Sequence, residues 1–179
     1  MLSKKICMLG AFAVGKTSLV KQYVHSIFNE KYHTTIGVKI DKRLVSINDQ
    51  PIQLILWDIE GVDIFTELNP SYLRGASGYI LVIDGTRPQT LETAREIMGQ
   101  LQLNLNERKL ILLINKSDLK NKWLINDSQL SELMIKEEDI FITSAKTGQR
   151  VEQAFQHIAE LIAPITCYQA DQHEYTSNR

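Results

Sequence analysis

"GAFAVGKTS", residues 10–18, is the stretch on which the reading of this chain turns. It matches GxxxxGK[ST], and it lies directly after an apolar strand-like run at 6–9 and before a helix-like run at 17–25, the flanks this pattern requires. Backbone N–H groups at the start of a helix have no partner inside it, so they can surround phosphate oxygens, and glycines let the chain approach without a Cβ. Ala13, Val14, Gly15, Lys16, Thr17 and Ser18 are therefore expected to hold the phosphates of a nucleotide. Lys16 would face the β- and γ-phosphates, and the Thr17 hydroxyl would face Mg²⁺. The alternative is a glycine turn that happens to precede a helix; agreement of the whole pattern and of both flanks argues against it.

The bulk properties suit such a site without specifying it. A chain of 179 residues fits one domain with a real core, and 44 % apolar and 23 % charged residues are ordinary for a globular protein. Twenty basic and 21 acidic residues leave a net charge of −1, so no global field draws the chain to nucleic acid or an anionic membrane, and any bound anion must be held locally. No apolar run reaches the roughly 18 residues needed to span a bilayer, and no signal-peptide pattern opens the sequence, which points to a cytoplasmic location. Cys7 and Cys167 belong to no metal-spaced cluster and read as reduced thiols.

Outward from the loop, strand-like runs at 6–9, 52–57, 79–83, 110–114 and 140–142 are mostly separated by helix-length segments, the alternation of a largely parallel sheet covered by helices. Residues 39–47 meet 52–57 across Asn48-Asp49-Gln50-Pro51, a connection short enough only for an antiparallel hairpin. The expectation is an α/β P-loop NTPase fold, a six-stranded mixed, mostly parallel sheet with about five helices, occupying residues 1–164 before a loose polar tail at 165–179. Helices are placed at 17–25, 90–103, 128–134, with Asp127 or Ser128 as cap, and 149–162, where Val151, Ala154, Phe155, Ile158, Leu161 and Ile162 form one stripe ended by Pro164.

Three further segments lie at strand ends. Asp58 closes the apolar run 52–57, as a carboxylate holding Mg²⁺ through water would, although such an Asp is also a common turn residue. Gly61 could offer an N–H to a γ-phosphate, or be a plain turn glycine. "NKSD", 115–118, and "TSAKTG", 143–148, follow strands at the edge where open α/β sheets bind ligands. A carboxylate at Asp118 can accept two hydrogen bonds from the N1–H and amino edge of guanine, which adenine cannot supply, and Asn115 would add amide contacts.

With these motifs in order, residues 4–163 resemble the Ras superfamily of small GTP-binding proteins, and "TTIGV", 34–38, resembles the first switch of its Rab-like branch. The resemblance implies that Thr35 gives its hydroxyl to Mg²⁺ and its N–H to the γ-phosphate, that Phe28 packs on guanine, and that the Lys116 stem lies along the nucleotide. It implies too that the Ala145 N–H meets the guanine oxygen, with Ser144 and Lys146 supporting that loop, and that Tyr32 closes over the phosphates. From the residues alone Phe28 is equally well a core aromatic and Tyr32 an exposed loop residue. The expected activity is a switch that binds GTP or GDP with Mg²⁺, hydrolyses GTP using Lys16, Thr35 and Gly61, and addresses effectors through residues near 30–40 and 58–75.

Two departures bear on the rate. Where the family has a small residue, glycine and glutamine, this chain has Glu60, Gly61 and Val62, and valine has no group with which to orient a water. Phe12 adds bulk in the phosphate loop, where an activating partner's arginine would enter. Slow hydrolysis is expected, with a non-hydrolysing pseudo-GTPase as the alternative and a P-loop kinase as a remote one, since no acceptor lid is visible. Glu60 or Asp63 could restore a base near the water, or both could lie on a solvated face. The sequence ends "EYTSNR", with no C-a-a-X or terminal cysteine pair, and Leu2 follows Met1, so no lipid anchor is expected. Protein effectors and an exchange factor are the implied partners.

Overall fold

A computed structural model describes residues 1–28, 34–61, 68–102 and 109–164; Tyr32, Val62, Asp63 and the segment 165–179 with Cys167 lie outside the described residues. Six strands form: β1 (Leu2–Leu9), β2 (Val38–Ile47), β3 (Gln50–Ile59), β4 (Gly78–Asp84), β5 (Lys109–Asn115) and β6 (Ile140–Ile142). Their order across the sheet is β2-β3-β1-β4-β5-β6. Every neighbouring pair is parallel except β2 with β3, as the short connection requires. That connection is tighter than the sequence suggests. Ile47 pairs with Gln50, so Asn48 and Asp49 alone make the turn, both at positive φ (50° and 61°). A two-residue hairpin whose turn follows the strands' own twist needs that backbone. Gln50 and Pro51 already belong to β3; Pro51 is tolerated because β1 first meets β3 at Ile52.

Alternation along the strands divides the core in two. Ile6, Met8, Leu54, Leu56, Ile80, Val82, Ile111 and Leu113 face one side, where α1 (Lys16–His25) and α5 (Val151–Ile162) cover them. Cys7, Leu9, Tyr79, Leu81, Ile83, Leu112 and Ile114 face the other, against Leu91, Ala94, Ile97 and Leu101 of α3 (Gln89–Gln102). Because β1, β4 and β5 are buried on both faces, they read as continuous apolar runs. The α5 stripe stacks Phe155 on Tyr23 of α1, ring centroids 4.1 Å apart and 9° from parallel.

Two short helices complete the set of five α-helices among the described residues. In α2 (Pro70–Leu73) the Asn69 side chain accepts the Ser71 N–H at 3.0 Å. For α4 (Asp127–Ser131) the cap is Asn126, one residue before the two expected. Asn126 Oδ1 accepts the Gln129 N–H at 3.0 Å while Gln129 Oε1 accepts the Asn126 N–H at 3.1 Å. This reciprocal pair needs a Gln or Glu three residues after the cap, and only Asn126 has one. Replacing Phe155 with Ala should lower stability by about 3–5 kcal/mol, read from chemical denaturation, since a buried ring would leave a cavity lined by both helices and the sheet.

Candidate functional site

All five strands that run parallel deliver their C-terminal ends to one edge, and those ends carry the polar residues of the site. A cleft of about 400 Å³ opens there. Ala13, Gly15, Lys16, Thr17, Ser18, Thr35 and Gly61 line one part of it; Phe28, Asn115, Lys116, Asp118, Ala145 and Lys146 line the other. Of the expected site residues, Val14, Asp58 and Ser144 are buried beneath this lining rather than in it. Phe28 is 36 % exposed at the cleft, which sets aside its reading as a core aromatic.

Lys16 begins α1 after Gly15, whose φ of 104° turns the chain into the helix. A Cβ on Gly15 would come within 2.3 Å of Asn115 Nδ2, so both backbone and space demand glycine. The Lys16 ammonium is 6 % exposed and donates to the carbonyls of Gly10 and Ala11 at 2.9 and 3.1 Å. Burial pushes its pKa down to about 8, against the opposing pull of the Asp58 carboxylate.

Asp58 is 1 % exposed. Its Oδ2 accepts from the Thr17 hydroxyl at 2.6 Å and the Thr35 hydroxyl at 3.4 Å, and the two hydroxyls lie 2.7 Å apart. Oδ1 is buried with no hydrogen-bond partner among the described residues. Burial raises the carboxyl's pKa, opposed first by the Thr17 hydroxyl, then by the charges of Lys16 and Lys39 and by Thr35. A desolvated carboxylate with an open oxygen beside two hydroxyls suits a hard, oxygen-seeking divalent cation such as Mg²⁺.

Gly61 is fixed by packing. A Cβ there would lie 2.4 Å from Phe12 Cα and 2.6 Å from Phe12 N, so the end of β3 and the phosphate loop touch backbone to backbone. Glu60 is exposed, and neither of the roles open from sequence describes it fully. Its Oε2 accepts the Gly37 N–H at 2.7 Å and its own N–H donates to the Gly37 carbonyl at 2.8 Å. The acid thus extends the β2–β3 ladder by one pair and ties the "TTIGV" segment to the segment after Asp58.

On the other side, Asn115 joins three loops. Its Nδ2 donates to the Val14 carbonyl at 2.9 Å, and its Oδ1 accepts the Ala145 N–H at 3.1 Å and the Thr143 hydroxyl at 3.5 Å. Ser144 Oγ donates to Asp118 Oδ1 at 2.6 Å and accepts the Thr147 N–H at 3.1 Å, which fixes the carboxylate at the cleft. Lys116, in a left-handed conformation with φ 72°, directs Nζ to Asp84 Oδ2 at 2.6 Å and leaves its stem along the wall. Sequence reasoning missed Asp84, Arg87, Leu119 and Lys21, the last two of which line the cleft. For Asp84 a signal existed: it ends an apolar run at the same sheet edge as Asp58 does.

Sheet order, loop and cleft define a P-loop nucleotide-binding protein of the small GTPase type. A sequence model of the Ras family matches residues 5–164. The chain is 34 % identical over 171 residues to the Ras-related protein Rab-27B of Bos taurus and of Homo sapiens, an overlap covering 88 % of this chain and 78 % of each relative. It is 31 % identical over 159 residues to Rab-7b of Mus musculus, covering 87 % of this chain and 80 % of that protein. The chain belongs to the Ras family, on its Rab-like side. It is accordingly a GTP-binding protein of the switch type. Among the described residues no helix is long and apolar enough to cross a membrane.

Gly61→Ala should displace the phosphate loop, since the new methyl meets the backbone of Phe12 and Ala11, which cannot swing aside as a side chain could. The expected cost is about 1–3 kcal/mol in urea unfolding, whereas the same change at Gly99, where a Cβ meets nothing within 4 Å, should not destabilise.

Proposed function

We propose that this protein is a Mg²⁺-dependent GTP/GDP switch that hydrolyses GTP slowly, works in the cytoplasm and signals to protein effectors, with an exchange factor resetting it. The observation that carries the reading is the buried group formed by Asp58, Thr17 and Thr35 beside Lys16, with one Asp58 oxygen left open.

In this reading Thr17, Thr35 and Asp58 would hold Mg²⁺. The ion would neutralise charge on the β- and γ-phosphate oxygens. The Lys16 ammonium exchanges the Gly10 and Ala11 carbonyls for phosphate oxygens, and the N–H groups of 13–18 surround the remaining ones. Gly61 N–H and Thr35 N–H reach the γ-phosphate, so its loss frees both segments and the partner reads that change. Phe28 and the Lys116 stem enclose the base, Asp118 accepts from its N1–H and amino group, and Ala145, Ser144 and Lys146 complete that loop, with Tyr32 closing over the phosphates. Exposed Ile36, Ile40 and Leu44 near these segments supply apolar surface for an effector.

Slow turnover follows from Val62, which cannot orient a water, and from Phe12, which is 47 % exposed at the cleft where an activating arginine would approach. Glu60 is engaged by Gly37, which supports its reading as a tie rather than a base.

Single-turnover assays of protein loaded with GTP and Mg²⁺, with Lys16→Ala as control, test this. GTP should persist for hours and Val62→Gln should speed its loss; fast turnover in the native chain, abolished by Lys16→Ala, would overturn the slow-switch reading. Complete absence of turnover even in Val62→Gln would identify a pseudo-GTPase.

Lys16 also sets a pH dependence. Its folded pKa of about 8 lies below the ordinary 10.5, so the free protein binds fewer protons than the unfolded chain between those values. The penalty for burying the charge is present below pH 8 and fades as pH rises through 8 towards 10.5. Bound phosphates need the charged form, so GDP affinity should instead fall with rising pH, by about fourfold from pH 7 to 8.5 in titration calorimetry.

A further inference from the structure

We propose that Asp84 and Arg87 are positioning residues for nucleotide retention: one buried carboxylate aligns the base-side wall through Lys116 and the phosphate loop through Arg87. The inference rests on the nucleotide-binding reading and deepens it.

Asp84 ends β4, the strand between β1, which leads into the phosphate loop, and β5, which leads into Lys116. It is 0 % exposed, and four donors converge on it. Oδ1 accepts the Thr86 N–H and hydroxyl at 2.9 and 2.7 Å; Oδ2 accepts Lys116 Nζ at 2.6 Å and Arg87 Nε at 2.8 Å. A carboxylate has about four acceptor sites, so this one is saturated within the protein. Burial alone would raise its pKa, but Lys116, Thr86 and Arg87 together hold it below the ordinary carboxylate value, so it stays ionised.

Arg87 has a second contact. Its Nη2 donates to the Phe12 carbonyl at 2.9 Å. In a trans peptide the carbonyl and the following N–H point in opposite directions, and the N–H after Phe12 belongs to Ala13. Holding the Phe12 oxygen therefore turns the Ala13 N–H the other way. Ala13 has φ 61°, a conformation that costs a residue with a Cβ and persists only when its surroundings impose it. Arg87 imposes it from outside the loop. At the same time the Lys116–Asp84 pair fixes a long side chain whose stem lines the cleft.

The two arms predict different losses. The Ala13 N–H would serve phosphates beyond the first, so Arg87→Ala should weaken GDP and GTP while leaving guanosine monophosphate nearly unaffected. Asp84→Asn loosens both arms and should weaken all three. Release of a fluorescent GDP from the full-length chain, chased with unlabelled GDP, should accelerate roughly tenfold in Arg87→Ala, the effect of losing a charge-assisted hydrogen bond. Arg87→Lys should restore little, because one ammonium cannot span Asp84 and Phe12. Competition binding of guanosine mono- and diphosphate gives the second readout, and thermal melting reports folding. A fall in the GDP-to-monophosphate affinity ratio in Arg87→Ala supports the proposal. Unchanged GDP release, or equal weakening of both nucleotides, overturns it, the latter marking a purely structural role. If Asp84→Asn fails to fold, Arg87→Ala decides alone. Native protein that binds no GDP at all would instead sink the nucleotide reading, and this inference with it.

Discussion

Three charged side chains, Lys16, Asp58 and Asp84, are buried at one end of a sheet whose interior is largely apolar, and their compensation organises the polar half of the molecule. Each charge taken from water must find partners or carry a large penalty. Lys16 takes two loop carbonyls, Asp84 takes four donors, and Asp58 takes two hydroxyls while keeping one oxygen open. The asymmetry separates their roles. The saturated carboxylate belongs to the scaffold, whereas the incomplete one keeps an oxygen with no partner among the described residues.

Much of this was legible in the sequence because chemistry there is local. The phosphate loop is a contiguous pattern with its own strand and helix, and β1, β4 and β5 are continuous apolar runs because they are buried on both faces. The hairpin was legible because four residues admit no crossover. What escaped was long-range. Nothing near Arg87 in the chain announces a bond to Phe12, 75 residues away, and Asn115 reads as a base contact until its amide is seen joining Val14 to Ala145. The α4 cap was missed by one residue since Asp127 and Ser128 are good caps in isolation, and only Gln129 decides among them.

Glu60 illustrates the same limit at a departure from the family pattern. As a letter in "DIEGVD" it suggests a displaced base or a solvated acid. In space it reaches back to Gly37 and extends an antiparallel ladder, so a residue that breaks a motif adds a side-chain bond beside a main-chain bond between the two segments.

The two tryptophans sit at opposite ends of this machinery. Trp57 precedes Asp58 on β3 beneath the Lys5 ammonium, 3.5 Å from its ring centre, while Trp123 lies so close to Gly85 that a Cβ there would fall 2.3 Å from the indole. With only two such residues in the chain, its ultraviolet emission is a two-channel optical signal. One indole belongs to the residue just before the buried Asp58, and the other packs on the residue just after the buried Asp84. A single-tryptophan version of either kind would carry an intrinsic dye at one of these two strand ends without any chemical label.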